Sequence, residues 1–376
     1  MNGNKGLFSI WLAVLGVAIV AGLFTTVKLF AQGHGLFNAN DVLLWTLPLG
    51  VYIFLALSSS GLTLLSGLPL VFGVQKYEVF AKRLVFLAIA TLCGAFVAIG
   101  LELGSVFHMI YIVFSPNLSS PIWWMGAIYS LELVVLIVKF WRMHRGDWHS
   151  GFSKNLGTAS FILALVAPLM IGSVFGITES RVTYFGPVMS IYCLVMAFLS
   201  GTALFNLYSL VVNRVMGNGV AAELYEEFAV IFAYAAGVVV VFTLLKYAIE
   251  SATVVPEFLV YREFEHAFGT VGVFHSEVLL GLFLPFVLLL IPSVRKTAFG
   301  KILTSALILL GTLFMHMEIL LAGQSHPVGP KAEQYPGFIS YFPSIWEILV
   351  FVFALAIVLL LYTLGERYLK LAEAPE

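Results

Sequence analysis

The chain has 376 residues, 61% of them hydrophobic and only 10% charged, with a mean hydropathy of +1.01 and a formal net charge of −1. Soluble domains carry about 25% charged residues, so the composition excludes one and indicates an all-α polytopic membrane protein embedded in a lipid bilayer. A transmembrane barrel would show short alternating segments, a nucleic-acid binder would be basic, and an iron–sulfur cluster would need four thiolates where this chain has two, Cys93 and Cys193.

Ten apolar spans follow in order: residues 7–30, 42–73, 84–114, 122–143, 156–177, 186–213, 228–248, 271–291, 299–321 and 344–364. The first follows a weakly basic start, "MNGNKG", and no small-residue cleavage site comes after it, so it reads as a retained helix. An even number of spans puts both termini on one side. Of the 19 Lys and Arg residues, only Lys28, Arg181, Lys246, Arg262 and Lys331 fall on the other side. That asymmetry makes both termini cytoplasmic.

The whole chain reads as a single integral membrane domain with an internal repeat. "PLGVYIFLALSSSGLTLLSG" in the second span resembles "GPVMSIYCLVMAFLSGTALFNLY" in the sixth, each with a central Ser-Gly (Ser60-Gly61, Ser200-Gly201). Residues 42–177 and 186–321 then form two related four-helix bundles, the first on the quinone side in the reading below, with spans 7–30 and 344–364 peripheral. Small residues let membrane helices approach closely. The longest connections, about 249–270 and 322–343, lie on the outer face and read as ordered, partner-covered loops without metal-ligand spacing.

Intramembrane ionisable groups carry the functional signal. In the third span, "CGAFVAIGLELGSVFHMIYIVF", Glu102 sits where an acidic side chain costs roughly 2.5–3.5 kcal/mol. Glu102 lies 12 residues before the end of its span and Glu132 lies 10 after the start of the next. Both are thus expected about 15–18 Å below the outer face, as a pair for proton transfer. The other reading of each is a protonated carboxyl that only packs helices. His108 and Tyr129, with Asp41, Trp45 and Trp124, are expected around one outer opening able to hold a quinone, whose carbonyls need donors and whose ring needs apolar walls. The tryptophans fit an ordinary interfacial belt equally, and His108 a satisfied core histidine. Lys246, Glu250, His275, Glu277, His316, Glu318 and Glu347 form a second set, for proton transfer or for lining a partner interface. No helix carries two spaced histidines, so no haem is expected, and no metal site is read.

"WTLPLGVYIFLALSSSGLTLLSGLPLVFG" resembles the second-helix motif of the NrfD/PsrC family. "KRLVFLAIATLCGAFVAIGLELGSVFHMIYIVFSPNLSSPIWWM" resembles that family's next hairpin, with its acidic-Leu-Gly triplet and "P-N-x-x-S-P" turn, and "EVLLGLFLP" and "YFPSIWEI" also match. The resemblance covers nearly the whole chain, and ten helices fit the longer, HybB/DsrP-like branch. It implies a subunit without its own redox cofactor that binds menaquinone or ubiquinone near the outer face. The implied partners are an extracytoplasmic ferredoxin-like iron–sulfur protein and a further catalytic subunit: a molybdopterin reductase, a hydrogenase, a multihaem cytochrome or a sulfite-reduction-linked complex. This chain departs from the family pattern in having Glu102 where many members carry Asp, and in lacking an arginine after the glycine of "LGSVFHM".

The reading is therefore a quinone-reactive subunit of a respiratory complex in the cytoplasmic membrane of a prokaryote, an oxidoreductase only with its partners. Two rivals use the same residues: a secondary transporter with midplane carboxylates, and a passive membrane anchor.

Overall fold

The computed structural model describes residues 5–179, 185–216, 222–252, 278–325, 327–335, 339 and 341–373. The principal helices are α1 (Lys5–Gln32), α2 (Leu47–Leu70), α3 (Glu78–Glu102), α4 (Pro121–His144), α5 (Gly151–Gly176), α6 (Val188–Met216), α7 (Ala222–Ala252), α8 (Leu284–Leu290), α9 (Ala298–Ser325) and α10 (Ile345–Tyr368). A π-helical turn, Leu279–Phe283, leads into α8, whose Pro285 cannot donate to the preceding ladder. Among the described residues, nine helices are long and apolar enough to cross a membrane. The protein is an all-α polytopic membrane protein, and in hydrocarbon the helix satisfies every backbone group within the segment.

Serines begin several helices. Ser120 and Ser150 accept from Trp123 and Ser153 N–H, and Ser344 with Glu347 forms a reciprocal capping box on α10. One boundary differs from expectation. The third span does not run to Phe114, because α3 stops at Glu102 and the chain continues as the 3₁₀ turn Val106–Ile110 and the short helix Tyr111–Phe114. Ser105 and the glycine before it break the ladder, and the apolar residues that follow lie on the exposed surface rather than inside a helix pair.

Helix α2 is the hub. It packs against α3, α5, α6, α9 and α10, and it buries nearly all its length. Contacts α2–α3, α3–α4, α4–α5 and α5–α2 close one ring, and contacts among α6, α7, α8 and α9 close a second, while α1 lies on α10 and α10 on α3. The two rings meet where α2 crosses α6 at the paired Ser-Gly steps. A Cβ on Gly61 would sit 1.9 Å from the Ala197 carbonyl oxygen, and one on Gly201 would sit 2.5 Å from the Gly61 Cα. Only glycine permits this approach.

Phe8 of α1 stacks on Arg367 of α10 at 4.7 Å, so both ends of the described chain share one end of the bundle, hereafter the basic end. Two cations there are buried. Arg83 (1% exposed) pairs with Glu366 at 2.6 Å, Tyr208 donates to the same carboxylate at 2.7 Å, and Lys82 reaches Glu373 at 2.9 Å. Hydrogen bonds from Lys82, reinforced by Lys370, hold the Glu373 carboxyl below the ordinary glutamate range.

Candidate functional site

Two polar clusters lie along α2, one at its first turn and one at its middle. At the first turn the backbone N–H groups of residues 44–47 have no helical acceptor, and each must find one elsewhere. Gln324 at the end of α9 accepts from Leu44 at 2.9 Å and from Trp45 at 2.8 Å. Thr46 N–H donates to Glu102 Oε1 at 2.8 Å, and its hydroxyl donates to Oε2 at 2.8 Å. Leu47 N–H donates to the Tyr341 hydroxyl at 2.9 Å, and Pro48 has no N–H to place.

Tyr341 in turn donates to Glu347 Oε1 at 3.0 Å. Burial, reinforced by the Glu347 carboxylate, pushes the Tyr341 phenol well above its ordinary range, so it remains a donor. Glu347 is fully buried and caps α10 through Ser344. The ends of α2, α3, α9 and α10 thus converge on two carboxylates. Glu102 ends its own helix, where the dipole disfavours a negative charge, and the N-terminus of α2 offsets that.

Beside this cluster a cleft of about 160 Å³ opens between the end of α1 (Leu29, Phe30, Gly33, His34) and the segment Leu101, Leu103–Phe107. Its lining mixes apolar side chains with His34 and Ser105, and the exposed Phe30 and Phe107 rings stand 5.8 Å apart at its mouth. His34 Nε2 lies 2.9 Å from the Leu101 carbonyl oxygen. A carbonyl only accepts, so Nε2 carries the proton and Nδ1 is the ring's accepting atom. A flat cyclic diol could give a proton there, and Glu102 is the next residue along.

The second cluster centres on Ser60. Its hydroxyl lies 3.5 Å from both Glu132 Oε2 and the Tyr129 hydroxyl, and the Tyr52 ring meets Tyr129 edge-on at 6.3 Å. Glu132 is fully buried, and its Oε1 has no hydrogen-bond partner. Two turns farther along the buried stripe of α4, Lys139 donates to the Ser153 hydroxyl at 2.9 Å, and Ser153 donates to the Asp147 carbonyl at 2.9 Å. The Asp147 side chain lies outside the helices, where Ser150 and then Arg142 hold its carboxyl below the ordinary range.

The Polysulphide reductase, NrfD family matches residues 35–328. The chain belongs to this family. This NrfD-family chain is 26% identical over 348 residues to the Hdr-like menaquinol oxidoreductase integral membrane subunit of Archaeoglobus fulgidus, covering 86% of this chain and 83% of that protein. It is 25% identical over 413 aligned residues to a putative dimethyl sulfoxide reductase membrane subunit of Halobacterium salinarum, covering 97% and 92%.

The sequence-derived site residues of the NrfD chain do not form one constellation. Glu102 and Glu132 are not at one depth. Their partners Thr46 and Ser60 are fourteen residues apart on α2, or about 21 Å. The expectation failed because it counted Glu102 back from Phe114, along a helix that ends at Glu102 itself. Tyr129 joins Glu132, not His108, which is exposed beside Tyr111 at 5.5 Å. Trp124 is on the exposed hairpin, donating to the Leu118 carbonyl at 2.9 Å. Asp41 is exposed, its carbonyl accepting from Lys331. Trp45 lies at the first cluster, edge-on to Phe175 at 5.6 Å. In the second set, His316 and Glu318 are buried in α9 and Glu347 belongs to the first cluster. His275, Glu277 and the side chains of Lys246 and Glu250 lie outside the described residues. Among the described residues no group of three or more His, Cys, Asp or Glu could hold a metal ion.

Sequence reasoning missed His34, Thr46, Gln324 and Tyr341. "WTLP" does carry a cap signal, threonine followed two residues later by proline, but its acceptors come from residues 102, 324 and 341.

Proposed function

We propose that this chain is the quinone-reactive membrane subunit of a respiratory redox complex. It lies in the cytoplasmic membrane of a prokaryote with both termini cytoplasmic, so the first cluster faces outward. It exchanges electrons between membrane quinone and an extracytoplasmic ferredoxin-like iron–sulfur protein, which serves a further catalytic subunit. Menaquinone is the preferred substrate, since a relative is named a menaquinol oxidoreductase subunit, and ubiquinone is the alternative.

The observation that carries the reading is the cleft with His34 beside the Glu102–Thr46–Tyr341–Glu347 cluster. Oxidation of a quinol releases two electrons and two protons, and reduction of the quinone takes them up. A histidine nitrogen and a half-buried carboxylate at one cleft provide two proton sites, and Phe30 and Phe107 at its mouth provide aromatic faces for the ring. A transporter would place its site among broken helices near midplane. Here the irregular backbone after Glu102 is at the end of the bundle.

The test is isolation of the chain with its native partners. Co-purification of a ferredoxin-like protein that menaquinol reduces supports the reading. A homo-oligomer without redox partners contradicts it.

A further inference from the structure

Thr46 is the N-cap of α2, yet its hydroxyl makes no capping bond. An N-cap threonine ordinarily accepts from an N–H of the first turn, whereas this one donates to the Glu102 carboxylate at 2.8 Å. Its backbone N–H goes to the same carboxylate, also at 2.8 Å, so the placement of residue 46 sets the orientation of Glu102. What fixes residue 46 lies in the other helix ring.

Gln324, 5% exposed near the end of α9, commits its whole carboxamide to this strap and to its own helix. Oε1 accepts from the Leu44 and Trp45 N–H groups at 2.9 and 2.8 Å, and Nε2 donates to the Trp45 and Leu320 carbonyls, both at 3.1 Å. The opposite amide orientation would set donor against donor and acceptor against acceptor at all four contacts. The Trp45 carbonyl and the Thr46 N–H belong to one peptide unit, which is planar and carries the two groups on opposite edges. Gln324 therefore holds one edge of a rigid plate and Glu102 the other. Tyr341 pins the following residue by accepting from Leu47 N–H at 2.9 Å. The cleft beside Glu102 is lined by Leu29, Phe30, Gly33, His34, Leu101 and the segment 103–107, so neither Gln324 nor the strap contributes to it.

We infer that Gln324 is a positioning residue for the quinone chemistry: from the second helix ring it fixes the Trp45–Thr46 peptide and, through it, the orientation of the Glu102 carboxylate beside the cleft. The inference rests on the reading that Glu102 exchanges a proton with quinone. Gln324 touches neither the quinone nor the proton. Its contribution is direction, and a reacting group misplaced by about 1 Å can cost about 100-fold in rate.

The test uses the complete complex in liposomes of defined phospholipid, with menaquinol as donor and reduction of the partner as the readout. Gln324→Met keeps the length of the side chain and removes its hydrogen bonds. It should lower kcat about tenfold or more and leave KM for menaquinol within about twofold of wild type, because the cleft is untouched. The Glu102 carboxyl band in the redox-difference infrared spectrum, assigned by its loss in Glu102→Gln, should shift. Gln324→Glu keeps the accepting oxygen and should recover much of the lost kcat. General loosening of the fold would instead raise KM as kcat fell, and would not separate Glu from Met. Should Gln324→Met fail to assemble, Gln324→Asn decides, since its amide is one methylene short of the strap. Wild-type kcat with an unshifted band, KM rising in step with the loss of kcat, or no recovery in Gln324→Glu overturns the positioning role. Glu102→Gln run in parallel separates the two claims. If it retains menaquinol oxidation, the quinone reading fails, whereas wild-type behaviour of Gln324→Met beside an inactive Glu102→Gln overturns the positioning role alone.

Discussion

Glutamine and alanine at position 102 should separate structural support from proton chemistry. Alanine leaves the buried Thr46 N–H and hydroxyl with no acceptor, since both donate only to the Glu102 carboxylate. An unsatisfied buried donor costs about 1–3 kcal/mol, and two are left, so Glu102→Ala should lose about 2–6 kcal/mol. Glutamine keeps Oε1 for the N–H, and its amide can donate to the Thr46 hydroxyl oxygen, so stability should stay near wild type. It cannot accept a proton, and menaquinol oxidation should fall about 100-fold, the lower end of general-base effects. Thermal unfolding of the detergent-purified subunit reads the first quantity, and menaquinol-driven reduction of the partner reads the second. An alanine variant as stable as wild type would show that the carboxylate does not hold α2. A glutamine variant with the wild-type rate would show that no proton passes through it.

Other perturbations follow from the same geometry. Reporter fusions after Arg145 and after Lys370 should be cytoplasmic and one near Lys331 external; a cytoplasmic reporter at Lys331 inverts every assignment of sides. His34→Ala should slow menaquinol turnover more than His108→Ala, because the cleft holds His34 while His108 is exposed; equal effects would move the site to the hairpin. Gly61→Leu should abolish recovery of folded protein, since its Cβ meets the Ala197 carbonyl at 1.9 Å, whereas Gly100→Ala, with open space around it, should be tolerated. Removing one member of the buried Arg83–Glu366 pair should cost about 3–5 kcal/mol, and Arg83→Met with Glu366→Leu should recover part of it, as a thermal-unfolding cycle would show.

The helices were legible because bilayer length and apolar runs are local properties. The family resemblance was legible for the same reason, being carried by contiguous motifs. What failed depended on where a helix stops. Between Leu101 and Phe114 only Glu102, the Gly104-Ser105 step and His108 interrupt the apolar run, so hydropathy alone joins both sides into one span. Once that boundary shifted, the depth of Glu102 shifted with it, and so did its partner. Lys82 and Arg83 counted in sequence only toward the basic side of the membrane, and their burial depends on Glu373 and Glu366, nearly three hundred residues away. His34 carried no signal in sequence, since a single histidine before Gly-Leu reads as loop. Its role depends on the carbonyl of Leu101 and on a cleft that exists only after α1 has packed.

The central claim, that quinone reacts beside Glu102, is tested most directly by photolabelling the intact complex with an azido-menaquinone and mapping the modified peptides. The label should fall on the segments containing His34 and Leu101–Phe107, and excess menaquinol should compete it away. Competable label confined to the basic end of the bundle, with none on either segment, would contradict the account.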